Sequence, residues 1–159
     1  MAMNCKRQTG VTMIEVLITI LILAIGLTGV MSMEAIAIKT NHQAYLRTQA
    51  ILQVQAMADR MHANLKGVDD GNYVMGTTPT TPTQNCLTGG CTPAQMAIFD
   101  KWEWDQDNKA LLPDSTATIT YDSVAETHTI TVNWKEEGND AVVNKSFSFV
   151  YKPLPLYLL

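Results

Sequence analysis

The sequence predicts an α+β chain in which a long N-terminal helix, half transmembrane and half amphipathic, packs on a small antiparallel β-sheet. Three observations carry this expectation. Residues 11–33 form a run of 23 that holds a single charge, Glu15. Further on, Leu46, Ala50, Val54, Met57, Met61 and Leu65 recur in steps of three or four, the spacing of one helical face. After Pro113 the apolar period switches to two, the repeat of a half-buried strand.

Composition bounds the function classes. With 159 residues there is room for one domain and an appendage, and 47% hydrophobic with 16% charged residues is too apolar for intrinsic disorder. Eleven Lys and Arg against fifteen Asp and Glu leave a net charge of −4, which argues against nucleic acid as a partner, because phosphate binding needs clustered cations. Three Cys cannot furnish a four-thiolate metal site.

At 1.5 Å per residue the first apolar run reaches roughly 34 Å, enough to cross a ~30 Å hydrocarbon core. Lys6 and Arg7 precede it and Glu34 follows. The positive-inside bias therefore places the N-terminus in the cytoplasm and everything after about Lys39 in the periplasm. A secretory signal would need a small-x-small cleavage site, and Ser32-Met33-Glu34-Ala35 is a poor match. A lipoprotein signal fails because Cys5 precedes the run. Glu15 stands out, since a carboxylate inside an apolar segment costs about 2.5–3.5 kcal/mol. Two readings stay open: a headgroup position where it costs little, or a functional partner. Were Val11 the first residue, Glu15 would stand one helical turn from a free α-amino group, and the two would compensate each other.

The string Lys6-Arg7-Gln8-Thr9-Gly10-Val11-Thr12-Met13-Ile14-Glu15 resembles the class III signal of type IV pilins and type II secretion pseudopilins. The resemblance implies a pilin-like fold, cleavage after Gly10 by prepilin peptidase, and N-methylation of the new terminus at Val11. Val11 stands where most members have Phe. Residues 11–65 contain no Pro, unlike many major pilins, which leans toward a minor pilin. Cleavage would remove Cys5, Lys6 and Arg7, leaving two Cys and nine cations against fifteen acids. An even cysteine count suits an oxidising periplasm.

No Pro or Gly separates the apolar run from the amphipathic stripe, so one helix is expected from Thr12 to Leu65, stopped by Lys66 and Gly67. The run Met57-Ala58-Asp59-Arg60-Met61-His62-Ala63-Asn64 is similar to the outer helix of the type IV pilus modification minor pilin (PilV) family. Asp59 and Arg60 are read either as exposed charges worth under about 1 kcal/mol or as a contact with a neighbouring subunit. The expected organisation is a leader over residues 1–10, a transmembrane or filament-core half-helix over 11–39, an amphipathic half-helix over 40–66, and a periplasmic domain over 67–159.

In that outer domain residues 69–72 and 76–83 carry turn and loop chemistry. Cys86 and Cys91 enclose four residues, two of them Gly, which suits a structural disulfide worth about 2–3 kcal/mol. Thr92, Pro93 and Gln95 read as the capping box of a helix continuing through Trp102 to a stop at Pro113. The acidic stretch 105–108 lacks the Gly of a calcium loop and fails its pattern at Lys109, so no metal is expected. Strands are expected over 116–122, 127–134 and 144–151, with turns at 123–126 and 136–140. Ile119, Tyr121, Ile130, Val132, Trp134, Phe147 and Phe149 would face the long helix, and His128 would lie on the opposite face. The apolar tail 153–159 either packs on the sheet or offers a patch to a partner.

His42, His62 and His128 lack any nucleophile, metal or phosphate-loop context, so no enzyme and no cofactor are expected. The resemblance implies a minor pilin that helps start pilus assembly and enters at or near the tip, supporting piliation, adhesion and twitching motility. Implied partners are other minor pilins, the major pilin, prepilin peptidase, the assembly platform and inner-membrane lipid. The alternatives are a type II secretion pseudopilin, or a membrane-anchored periplasmic domain with no filament role.

Overall fold

A computed structural model of the chain describes residues 10–138 and 141–153. The elements are α1 (Met13–Ala63), α2 (Leu65–Asp69), α3 (Pro93–Leu111), β1 (Thr116–Asp122), β2 (Thr127–Glu137) and β3 (Val142–Tyr151). Two compact units divide between His42 and Gln43, and α1 enters both.

In the first unit α1 is bare. Its large apolar side chains are all exposed, from 45% at Val16 to 85% at Met13. Among the described residues α1 is the one helix long and apolar enough to cross a membrane. Its few hydroxyls are already satisfied: Thr19 Oγ1 donates to Val16 O at 2.8 Å, Thr28 Oγ1 to Ala24 O at 2.6 Å and Ser32 Oγ to Gly29 O at 2.8 Å. Back-bonding of this kind lets polar side chains sit where no water is available.

In the second unit Leu46, Ala50, Val54, Met57, Met61 and Leu65 are all buried, as their spacing predicts. The first five join Ile119, Ile130, Val132 and Trp134 of the sheet, with Trp104 of α3 and Tyr73 and Met75 of the connecting loop, in one core. The helix ends sooner than expected. At Asn64 the chain turns, and the Asn64 Oδ1 accepts from Gly67 N at 3.2 Å to cap the short α2. Gly67 is thus inside a helix rather than ending one. A Cβ there would meet Asn64 Nδ2 at 2.5 Å, so any larger residue would push the Asn64 side chain out of its cap. The left-handed turn comes later, at Gly71 with φ 74°.

The sheet is an antiparallel meander in the order β1-β2-β3. Ile119 pairs with Ile130, Ile130 with Phe149, and Val132 with Phe147. The outer edge of β1 is met by Met75, which exchanges both backbone hydrogen bonds with Ile119 at 2.9 Å. Three expectations need correction. β2 continues to Glu137, because alternation carries Glu136 inward, where Trp134 Nε1 donates to its Oε1 at 2.8 Å. His128 lies on the same face as Ile130 and Val132, since residues two apart in a strand share a face, and it is buried. Tyr121 and Phe149, placed in the core by pattern, remain 49% and 39% exposed. Phe149 does so because the core closes over β1 and β2 and leaves β3 overhanging, its residues exposed or at most half-buried. The expectations for Cys5, Lys6 and Arg7, for residues 139–140 and for the tail beyond Pro153 lie outside the described residues.

Candidate assembly site

The residues expected to be processed and assembled sit together at the start of α1. Gly10 is exposed with open space where a Cβ would be, and Val11 is 69% exposed. Two residues later the helix begins. Thr12 O accepts from Glu15 N at 3.1 Å and from Val16 N at 3.4 Å, which places Glu15 in the first turn. A carboxylate there complements the unsatisfied N–H groups of the helix start. Glu15 therefore faces outward at the positive end of an uncovered apolar helix.

Asp59 and Arg60 part company. Asp59 is exposed, with no partner among the described residues. Arg60 is engaged within its own chain: its Nη1 lies 3.0 Å from Glu103 Oε2 and 3.1 Å from Asp100 O, and its Nη2 lies 3.5 Å from Asp107 Oδ2. Glu103 and Asp107 are four residues apart and so share one face of α3. Behind this pairing Tyr73 Oη donates to Asp100 Oδ2 at 2.5 Å and accepts from Asn64 Nδ2 at 3.1 Å. Burial raises the Asp100 carboxyl above its usual range, against the Tyr73 hydrogen bond and the Arg60 charge. Burial and the Asp100 carboxylate push the Tyr73 hydroxyl up in turn. Trp104, fully buried, donates Nε1 to Gln53 O at 2.8 Å and fixes α3 against α1 a second time.

The cysteines are joined, Cys86 to Cys91, with Cα atoms 5.6 Å apart. Directly after them the capping box forms as read: Gln95 N donates to Thr92 Oγ1 at 3.3 Å, and Thr92 N to Gln95 Oε1 at 2.9 Å. The stretch 105–108 is helical and its acids are engaged within the fold, Asp105 by Lys109 at 2.6 Å and Asp107 by Arg60 of α1. Among the described residues no group of three His, Cys, Asp or Glu is placed to hold a metal. Sequence reasoning missed the roles of Tyr73, Asp100, Glu103 and Asp107. The one available signal was the i, i+4 acid pair on the predicted helix; its partner lies some forty residues upstream.

Residues 5–31 match the prokaryotic N-terminal methylation motif, and residues 32–102 match the family described as Type IV pilin Tt1218. Comparison with curated proteins and with solved structures gives no match. The first match spans Gly10, Val11 and Glu15; the second spans Asp59, Arg60 and the disulfide. A prepilin motif leading into an apolar helix fits a membrane-anchored pilin. From residue 5 to residue 102, then, the chain is similar first to the N-terminal methylation motif of prepilins and then to type IV pilins of the Tt1218-like family.

Proposed function

We propose that this chain is a minor pilin of a type IV pilus, of the pilus modification (PilV) kind, that helps initiate assembly and enters at or near the tip. The observation that carries the reading is the bare apolar half of α1 with Glu15 in its first turn, joined to an independently packed outer unit. Some 25 residues of uncovered apolar helix need lipid or neighbouring helices around them. The pilin family is structural and associates with other pilins and pilus machinery.

On this reading prepilin peptidase cuts after Gly10 and Val11 becomes the methylated N-terminus. The helix is held in the inner membrane with the outer domain in the periplasm, and the assembly platform then moves it into the filament. There Glu15 meets the terminal amine of a neighbour, two charges compensating each other among apolar helices. The major pilin and other minor pilins are its partners, and piliation, adhesion and twitching motility depend on it.

Deletion of the gene tests this, scored for surface pili by electron microscopy and for secreted enzyme activity. Lost pili with normal secretion is the expected outcome. Lost secretion with normal pili would move the protein to the pseudopilins, and no effect on either would leave a simple membrane anchor. Glu15→Ala should remove the protein from sheared filaments while its membrane level holds; normal incorporation would refute the role of that carboxylate.

A further inference from the structure

A cavity of about 270 Å³ lies at the end of the outer unit opposite the entry of α1. Gln43, the first residue of that unit, donates from Nε2 to Glu137 O at 3.2 Å, at the last residue of β2. Val68 and Asp69, beyond the end of α1, border the cavity together with His128, near the first residue of β2. Its sheet side is the outermost core-facing rung, in which Tyr121 pairs with His128. The β1–β2 turn adds Glu126, and the residue just past β3 adds Lys152.

Several polar groups here are left without partners. His128 is 2% exposed, yet neither its Nδ1 nor its Nε2 has a hydrogen-bond partner among the described residues. Buried polar groups are nearly always satisfied, so this one stands out. Asp69 and Glu126 have no hydrogen-bond or ion-pair partner among the described residues either; Lys66 pairs with Asp70 instead. Glu126 is presented by a fixed turn, in which Asp122 Oδ1 accepts from Val124 N at 2.8 Å and Ala125 N at 3.2 Å. Tyr121 lies tilted on the His128 ring, centroids 4.8 Å apart, with about half its surface still open.

These groups ask for a donor that carries positive charge. Both carboxylates accept only, and an open phenol ring attracts a cation through its quadrupole. Burial holds the His128 pKa below its usual value, so the ring is neutral and one of its nitrogens is an acceptor. Lys152 opposes a cation, but it is one charge against two, and its Nζ is turned to Ala125 O at 3.3 Å. The volume lies below that of a drug-sized site and suits a single side-chain-sized group.

We infer that this cavity binds a primary ammonium on a short alkyl chain, with Asp69 and Glu126 as its counter-ions, His128 as a further acceptor and Tyr121 against the chain. A lysine side chain of another protein and a free alkylamine share this chemistry. The inference rests on the reading of the chain as a subunit at or near the pilus tip, where this end of the outer unit is left uncovered.

The test titrates full-length protein in a non-ionic detergent, its histidines isotope-labelled, with butylammonium and with Nα-acetyl-lysine amide at about neutral pH. The His128 ring resonances should shift saturably, while those of the exposed His42 and His62 stay in place. The Nε-acetylated lysine probe should shift nothing. Asp69→Asn and Glu126→Gln should each weaken binding about fivefold, the upper end for one exposed ion pair, and Lys152→Gln should strengthen it. Unchanged melting temperatures show that these variants fold. Tighter binding of the lysine probe identifies a protein source, and equal or tighter binding of butylammonium a free amine.

No saturable shift with either amine overturns the inference, as do acid variants that bind like wild type. Weaker binding by Lys152→Gln would assign the cavity to an anion and overturn it too. Pro153 also borders the cavity, so the tail 154–159 starts at its rim. Amine binding that appears only after that tail is deleted would make the tail the occupant instead. Wild-type protein that binds the amine but is missing from pili removes the filament reading alone; protein that enters pili but binds no amine removes the site alone.

Discussion

Replacing Trp104 tests whether α3 clamps the outer half of α1. Trp104 is fully buried and its Nε1 donates to Gln53 O at 2.8 Å. Truncation to Ala removes an indole from a close-packed site, and buried aromatic truncations cost about 3–5 kcal/mol. Trp104→Phe keeps most of the apolar volume and deletes the hydrogen bond. That bond is worth about 1 kcal/mol net, since Gln53 O lies inside a helix and keeps its own i+4 donor. Trp102 is a built-in control: only half-buried and two residues away, its truncation should cost about 1 kcal/mol. Urea unfolding of the detergent-solubilised chain, followed by circular dichroism, reads all three. Ala at 104 should lower the midpoint several times more than Phe at 104 or Ala at 102. Equal effects at 102 and 104 would refute the packing described for α3.

Removing the disulfide with Cys86→Ser and Cys91→Ser should cost about 2 kcal/mol, the entropy of a short closed loop; unchanged unfolding in reductant would contradict this. Arg60→Ala should cost about 1 kcal/mol rather than the 3–5 of a broken buried pair, because Arg60, Glu103 and Asp107 keep 26%, 34% and 47% of their side-chain surface, and the loss should shrink in salt. His128 gives a pH signature. Burial lowers its pKa, and neither ring nitrogen has a hydrogen-bond partner among the described residues. The unfolded chain therefore binds the proton more readily, and stability should fall as pH drops below about 6.5. Asp100 acts in the opposite sense at lower pH, since its raised pKa makes the folded state the better proton binder there. His128→Leu should flatten the melting-temperature slope between pH 7 and 5; an unchanged slope would place the effect elsewhere.

Much of this architecture is legible in the residues. The stripe from Leu46 to Leu65 obeys a 3.6-residue period because α1 has one covered face, and all six positions are buried. Thr92, Pro93 and Gln95 specify a helix start locally, needing nothing from the rest of the chain. The cysteine pair is equally local. What stayed hidden depends on distant partners. Asn64 looks like one more helical residue until Tyr73 and Pro93 O engage its Nδ2 and its Oδ1 turns to Gly67. Tyr73 and Met75 sit between two stretches that read as turn and loop, yet both are core. Alternation correctly sorts the faces of β3 but says nothing of how far the core extends, so Phe149 was expected inside and lies at the rim.

The most direct test of the filament reading is intact mass of the protein recovered from sheared pili. The account predicts a chain that begins at Val11, lacking Met1 to Gly10, with its two remaining cysteines oxidised. Protein that retains residues 1–10, or that stays in the membrane while pili form normally, would contradict it.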